Sequence, residues 1–226
     1  DIAYYLDDVL LFSNSLQAHL DRLEQVLKAH LEGGIKIKPS KTELFVESIQ
    51  YLGHQLSKDG IGMVPEYMER IENWPEPKTI KELNTLVGFF SYYRNFVPEF
   101  SKLMAPLNSQ KRQKKLEWSS SCADSFKRLK KLFMEAPLRG VPEYGMEEPF
   151  VLTTDYSGIA VSAILSQKQA GQERILACGG RKCTTGEENY PSWKGELAAL
   201  VFGIRKYHHI LSYKKFRVIT DSNALK

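Results

Sequence analysis

Leu16, Leu20, Leu23, Leu27 and Leu31 recur three and four residues apart, and that spacing predicts an amphipathic helix. Ser13 or Ser15 can cap it, and Gly33-Gly34 stops it. Ahead of this helix, apolar residues 2–6 and 9–12 flank Asp7-Asp8, which reads as a β-hairpin with the acids at the turn. Residues 35–38 and 49–56 read as short strands, and Lys58-Asp59-Gly60 as a turn. Residues 65–74 predict a helix closed by Pro75 and Pro77. Thr79-Ile80-Lys81-Glu82 is a capping box that opens a helix to about Phe96. Its aromatics, Phe89, Phe90, Tyr92, Tyr93 and Phe96, read as core and not as base-stacking platforms. Residues 119–136 predict another helix, with Phe126, Leu129 and Phe133 on one face and lysines opposite.

Residues 137–149 carry three prolines and two glycines and read as a linker. Beyond it the pattern changes. Residues 150–155, 160–167 and 175–179 are strand candidates, 189–211 a long helix, and 216–221 a further strand. Strands followed by a helix and a strand predict an α/β domain.

Composition adds little until charge is mapped. Hydrophobic residues at 42% and charged residues at 26% are ordinary for a globular chain of 226 residues, and no apolar run reaches the roughly 20 residues of a membrane helix. No signal peptide is apparent. Cys122, Cys178 and Cys183 form no CxxC pair, which argues for a reducing compartment and against a zinc site. Residues 101–140, however, hold ten Lys/Arg against three acids, a charge of +7, so the remainder carries 4 − 7 = −3. Such a block suits a polyanion partner or a solvated helix face.

The candidate chemistry lies in the acids. Asp7 and Asp8 are adjacent in an apolar setting, where carboxylates repel and lose hydration. A divalent cation removes both problems, although a bare Asp-Asp pair is more often a simple polar turn. In the second half, Asp155 ends an apolar strand, Glu196 sits in the long helix, and Asp221 ends the last strand. Three such acids can converge at one sheet edge, hold two metals and orient a water against a phosphodiester; singly, each reads as a cap or a solvent-facing terminus. His208-His209 read as packing or capping residues.

The flanks of these acids narrow the reading. Tyr5-Leu6-Asp7-Asp8 resembles the YxDD box of reverse transcriptases. Residues 34–41 (GIKIKPSK), 51–54 (YLGH), 57–61 (SKDGI), 74–79 (WPEPKT), 88–96 (GFFSYYRNF) and 105–107 (APL) follow in the order seen in gypsy-type retrotransposon and retrovirus-like Pol polyproteins. Thr154-Asp155-Tyr156-Ser157, Asn189-Tyr190 to Glu196-Leu197-Ala198-Ala199, and Thr220-Asp221-Ser222-Asn223-Ala224-Leu225 resemble the RNase H domain that follows the polymerase. The resemblance covers essentially the whole chain.

It implies an α/β (α+β) architecture: the C-terminal part of a reverse transcriptase palm (1–61), a helical thumb (62–100), a connection and linker (101–149), and an RNase H-like mixed sheet with helices, cut short at its C-terminus (150–226). It further implies RNA-directed DNA polymerase and RNase H activities, with two Mg²⁺ (or Mn²⁺) ions per active site. Asp7 and Asp8 would bind the polymerase metals, and Asp155, Glu196 and Asp221 the nuclease metals. Tyr5, Lys36, Lys38 and Lys41 would lie near the incoming nucleotide, and Tyr51, Leu52, Gly53 and His54 would hold the primer terminus. Lys111, Arg112, Lys114 and Lys115 would track template–primer phosphates.

The implied partners are an RNA template, a DNA primer, RNA–DNA hybrids and dNTPs, with protease and integrase as neighbouring Pol domains and no membrane. The implied location is the cytoplasm or virus-like particles. A further palm Asp upstream and a further RNase H acid downstream are expected outside this segment, which leaves a non-catalytic nucleic-acid-binding module as the alternative. Three local departures stand out. Tyr156 replaces a small residue, Gly195 costs about 1 kcal/mol relative to Ala inside a helix, and Ser222-Asn223 replaces His-Lys.

Overall fold

A computed structural model describes residues 2–222 and 225. The chain divides into two compact units, Asp1–Leu52 and Gly53–Lys226.

In the first unit, β1 (Ile2–Tyr5) and β2 (Asp8–Leu11) form an antiparallel hairpin in which Tyr5 faces Asp8. The turn is therefore Leu6-Asp7, and Asp8 begins the returning strand. The leucine-patterned helix is α1 (Leu16–Glu32), capped by Ser15, whose Oγ accepts the Ala18 N–H at 3.3 Å. Gly33 closes it with an N–H bond to the Ala29 carbonyl. The strand predicted at 35–38 does not form. Ile-Lys-Ile-Lys has the period of a strand, but no described strand pairs with it, and Ile35 and Ile37 stay exposed. A single 3₁₀ turn, Pro39–Lys41, and β3 (Ser48–Tyr51) follow. The strand predicted over 49–56 is interrupted because Leu52 and Gly53 both take left-handed backbone (φ 46° and 69°).

The second unit opens with a hairpin the pattern had half hidden: β4 (His54–Ser57) and β5 (Gly60–Met63), turning at Lys58-Asp59. Five helices follow: α2 (Pro65–Glu72), α3 (Ile80–Tyr92), α4 (Phe100–Leu103), α5 (Ala105–Gln110) and α6 (Ser120–Met134). Thr79 caps α3, its Oγ1 accepting the Glu82 N–H (3.2 Å), and the Glu82 side chain reaches back to the Lys78 N–H (2.8 Å), one residue before the N-cap that a capping box uses. Leu83, Leu86, Phe90 and Tyr93 meet Phe126, Leu129 and Phe133 of α6 in one apolar core. At about 1.5–3 kcal/mol per buried large side chain, this core is what holds five short helices together. Of the aromatics predicted as core, Phe90, Tyr93 and Phe96 are buried, while Tyr92 is half exposed.

The predicted linker is pinned to the structure at its start. Arg139 exchanges both backbone hydrogen bonds with Ile61 at 2.9 Å, and the Gly140 N–H reaches the Ile175 carbonyl at 2.9 Å. Then β6 (Phe150–Tyr156), β7 (Ala160–Gln169) and β8 (Gln172–Lys182) run antiparallel. The predicted long helix begins later and breaks: α7 (Ser192–Lys206) gives way to α8 (His208–Leu211) at Tyr207, which is buried with its hydroxyl near the Ala163 and Ala177 carbonyls. β9 (Phe216–Ile219) adds parallel to β6, giving the order β8-β7-β6-β9. Phe150, Leu152, Ala163, Leu165 and Leu176 form the core of this sheet with Tyr207 and Leu211. Of the two roles read for His208 and His209, packing or capping, their exposure removes packing. Among the described residues, no helix is long and apolar enough to cross a membrane.

Candidate functional site

The first unit carries the Asp-Asp pair on its hairpin. Asp7 and Asp8 are exposed, as is Tyr5 on the partner strand, and Leu6 between them takes a left-handed conformation (φ 52°). The turn residue Asp7 and the first residue of the returning strand, Asp8, thus present both carboxylates to solvent. Lys36, Lys38 and Lys41 are exposed in the irregular stretch and the 3₁₀ turn after α1, and Thr42 Oγ1 donates to the Lys38 carbonyl. Tyr51 and Leu52 end the unit, each half-buried.

In the second unit, Gly53 and His54 lie against the aromatics of α3. Tyr93 donates its hydroxyl proton to the Gly53 carbonyl, and the His54 ring stacks on Phe96 at 5.8 Å. A Cβ at Gly53 would sit 3.2 Å from the Tyr92 hydroxyl oxygen, on a backbone with positive φ, so both crowding and conformation favour glycine there. Burial holds the Tyr93 phenol well above its ordinary pKa. Lys111, Arg112, Lys114 and Lys115 project from an exposed loop between α5 and α6.

The sheet assembles the other acids by register. Parallel pairing sets Thr153 opposite Ile219. Carried two residues past the end of the ladder, that register brings the chain at Asp221 toward Asp155, and the two carboxylates meet in one cluster. Glu196, in the first half of α7, approaches from the packed helix. The carboxylate oxygens of Asp155, Glu196 and Asp221 lie within 4.8 Å of one another. Glu196 is 2% exposed, Asp155 is half-buried and Asp221 is exposed, so the cluster opens to solvent on one side.

Glu196 Oε1 accepts the Tyr156 N–H at 3.1 Å, while its Oε2 is buried with no hydrogen-bond partner. Burial pushes the Glu196 carboxyl upward; the Tyr156 N–H and, least, the Thr220 hydroxyl oppose this, and Asp221 and Asp155 add to it. Burial also raises Asp155, reinforced by Glu99 and Asp221 and countered by Lys102. A buried, unsatisfied carboxylate oxygen facing two other acids is costly by itself and suits a cation. The residues present therefore fit a divalent metal held by oxygen donors.

Sequence reasoning missed part of the surroundings. A water-sized cleft of about 10 Å³ beside Asp155 is lined by Glu99, Ser101, Lys102 and Ser162. Nothing in the sequence links residues 99–102 to Asp155; the contact exists because α4 packs beside β7 and β8. Arg181 grips Glu187 with two hydrogen bonds of 2.6 and 2.7 Å. Arg181 and the Thr184 N–H hold the Glu187 carboxyl down at about 2. Of the sequence candidates, Asn223 and Ala224 lie outside the described residues.

Comparison with known proteins agrees with both halves. Residues 1–56 match the reverse transcriptase (RNA-dependent DNA polymerase) family model, and residues 145–226 match the RNase H-like domain found in reverse transcriptase. Over 228 residues the chain is 32% identical to the retrovirus-related Pol polyprotein from transposon 297 of Drosophila melanogaster, covering 98% of this chain and 21% of that protein. The corresponding protein from transposon gypsy of the same organism is 30% identical over 235 residues, covering 98% of this chain and 22% of that protein. The chain thus spans about a fifth of the length of these relatives. A foamy viral protease–reverse transcriptase solved in complex with RNA/DNA hybrid superposes with a TM-score of 0.82 at 24% identity, covering 99% of this chain and 31% of that one. That likeness establishes the fold.

Proposed function

Because this chain is a reverse transcriptase–RNase H segment of the retrovirus-related Pol polyprotein family, we propose that it serves two-metal phosphoryl transfer on nucleic acid at two acidic sites. Asp155, Glu196 and Asp221 act in cleaving the RNA strand of RNA–DNA hybrids, and Asp7 and Asp8 in RNA-directed DNA synthesis. The observation that carries this reading is the convergence of three carboxylates within 4.8 Å, one of them with a buried, unpartnered oxygen.

The three nuclease acids would hold Mg²⁺ or Mn²⁺, which when bound supplies Lewis-acid stabilisation of the phosphoryl oxygens and a water of lowered pKa. The chain's own residues do the rest. Glu196 is fixed by the Tyr156 N–H and by burial, so it approaches from a set position. Asp221 is exposed, on the open side of the cluster, where a phosphodiester would approach. Asp155 stands between a water-sized cleft and the cluster.

In the first unit, Asp7 and Asp8 would hold the polymerase metals, with Tyr5, Lys36, Lys38 and Lys41 near the incoming dNTP and Tyr51 and Leu52 toward the primer terminus. Gly53 and His54 of the second unit, set by the aromatics of α3, are likewise proposed as nucleic-acid contacts. Lys111, Arg112, Lys114 and Lys115 would neutralise phosphates of template and primer without reading sequence. We assign 1–61 to the palm, 62–100 to the thumb, 101–149 to the connection and 150–226 to the RNase H-like part. Protease and integrase are the proposed neighbours in the polyprotein, and the cytoplasm or a virus-like particle is the proposed location.

A second reading, a module that binds nucleic acid without turnover, draws on the exposed basic loop at 111–115, which owes nothing to the carboxylates. Hybrid cleavage separates the two. A metal-assisted step loses several kcal/mol when a ligand is removed, so Asp155→Asn lowers cleavage on the order of a hundredfold or more while hybrid binding persists. Cleavage unaltered by Asp155→Asn overturns the nuclease assignment.

A further inference from the structure

Tyr156 and Gly195 read separately as two blemishes next to two metal-ligand candidates. In the folded chain they occupy one space. A Cβ built on Gly195 lands 2.5 Å from Tyr156 Cγ, and nearer still to Cδ1 and Cε1, so any larger residue at 195 collides with the ring. The ring lies between β6 and α7, where it packs beside Val161, Cys183 and Ala199. Both ends of Tyr156 are also tied. Its N–H donates to Glu196 Oε1 at 3.1 Å, and its hydroxyl donates to the Glu187 carbonyl. Glu187 is in turn locked by Arg181 from β8 and by the Thr184 N–H at 2.8 Å.

We propose that Tyr156 and Gly195 are an interlocked positioning pair that sets the spacing between β6 and α7 and so holds the Glu196 carboxylate beside Asp155. Tyr156 takes no part in the chemistry; it acts through Glu196. The Arg181–Glu187 pair is the outer anchor, because it fixes the segment on which the Tyr156 hydroxyl rests. A small residue at 156 would leave a void over Gly195, and a larger residue at 195 would lift α7, and Glu196 with it, away from the Tyr156 N–H. The two positions are therefore expected to vary together: a bulky 156 with glycine at 195, or a small 156 with a methyl-bearing 195. The inference rests on the metal reading of the acidic cluster and adds to it the pair that positions one ligand.

The test is a double-mutant cycle on the full chain, read by Mn²⁺ binding in electron paramagnetic resonance titrations and by thermal unfolding. Gly195→Ala is expected to weaken Mn²⁺ binding about tenfold or more and to lower the melting temperature, the usual scale for loss of a residue that orients a metal ligand. Tyr156→Ala alone is expected to lower the melting temperature through the void it leaves; in the Gly195→Ala background it is expected to recover Mn²⁺ binding and to cost less melting temperature than the two single changes summed, and Tyr156→Phe alone to keep Mn²⁺ binding within a few-fold of wild type, since ring and N–H remain. Should Gly195→Ala fail to fold, a folded, metal-binding double variant still supports the interlock. A double variant that binds Mn²⁺ no better than Gly195→Ala and whose melting-temperature losses simply add overturns it, as does a Gly195→Ala chain that binds and melts like wild type. A wild-type chain that binds no Mn²⁺ defeats the metal reading instead, and the interlock is then decided by whether the melting-temperature losses of the two single variants fail to add in the double variant.

Discussion

Glu187 and Arg181 show how a single pair can matter beyond its own contact. Glu187 is nearly buried, gripped in a bidentate hydrogen bond, and its backbone carbonyl carries the Tyr156 hydroxyl. Its carboxyl is depressed to about 2 from an ordinary 4.5, chiefly by Arg181 and next by the Thr184 N–H. A folded pKa below the unfolded one means that the unfolded chain binds the extra proton as pH falls. The stabilisation is thus fully present above about pH 4.5 and is lost as pH drops toward 2. Melting curves of wild type and Glu187→Gln from pH 6 to pH 2.5 should therefore converge as the pH falls; a gap that stays constant across that range would show that the ion pair contributes nothing. At this scale the sequence displayed the acids but not their partners. Asp155, Glu196 and Asp221 could be picked out because each sits in a motif at a predicted element end. Glu99, Lys102 and the Tyr156–Gly195 fit could not, because they depend on which helix lands on which strand.

Among the elements, those whose apolar stripes find a partner are well specified, and those without one are not. α3 and α6 bury the residues their periodicity selects, and both caps form where Thr79 and Ser119 stand. α1 has an equally regular leucine stripe, yet Leu16, Leu20, Leu27 and Leu31 are exposed, and Val26 is the sole buried residue among the described residues of its unit. Helices draw most of their stability from tertiary packing, so regular spacing alone predicts existence and not protection. Native-state hydrogen exchange should find the amides of α1 exchanging orders of magnitude faster than those of α3, α6 and β6. Equal protection in α1 and α3 would contradict the burial described here. The same logic explains the failed strand at 35–38 and the late break of α7 at Tyr207. A ladder needs a partner, and a buried tyrosine hydroxyl needs an acceptor, and neither requirement can be read from hydropathy.

For the whole molecule, charge is the property that sequence and structure express most alike. The +7 block at 101–140 is legible from composition, and its densest part, Lys111 to Lys115, is an exposed loop with no acid within it. If this loop meets nucleic-acid phosphates, each lost contact removes about 0.9 from the slope of log affinity against log salt. Replacing Lys111, Arg112, Lys114 and Lys115 together with alanine should flatten that slope by up to about 3–4, and a slope unchanged by the replacement would remove the loop from the interface. The architecture, mixed α/β with a nuclease-like sheet, was legible because Pol-type motifs run nearly the full length of the chain and fix the order of parts. What required coordinates was the register of β9 on β6, which brings the chain at Asp221 toward Asp155 and turns two strand ends into one site.

The central claim is that Asp155, Glu196 and Asp221 form a divalent-metal site. Calorimetric titration of the chain with Mg²⁺, beside Glu196→Gln, tests it most directly. The account predicts saturable binding at millimolar metal in the wild-type chain and its loss in Glu196→Gln, because the substitution removes the charge of the buried carboxylate whose Oε2 makes no hydrogen bond of ordinary geometry. Binding that survives Glu196→Gln, or no binding by the wild-type chain, would contradict it.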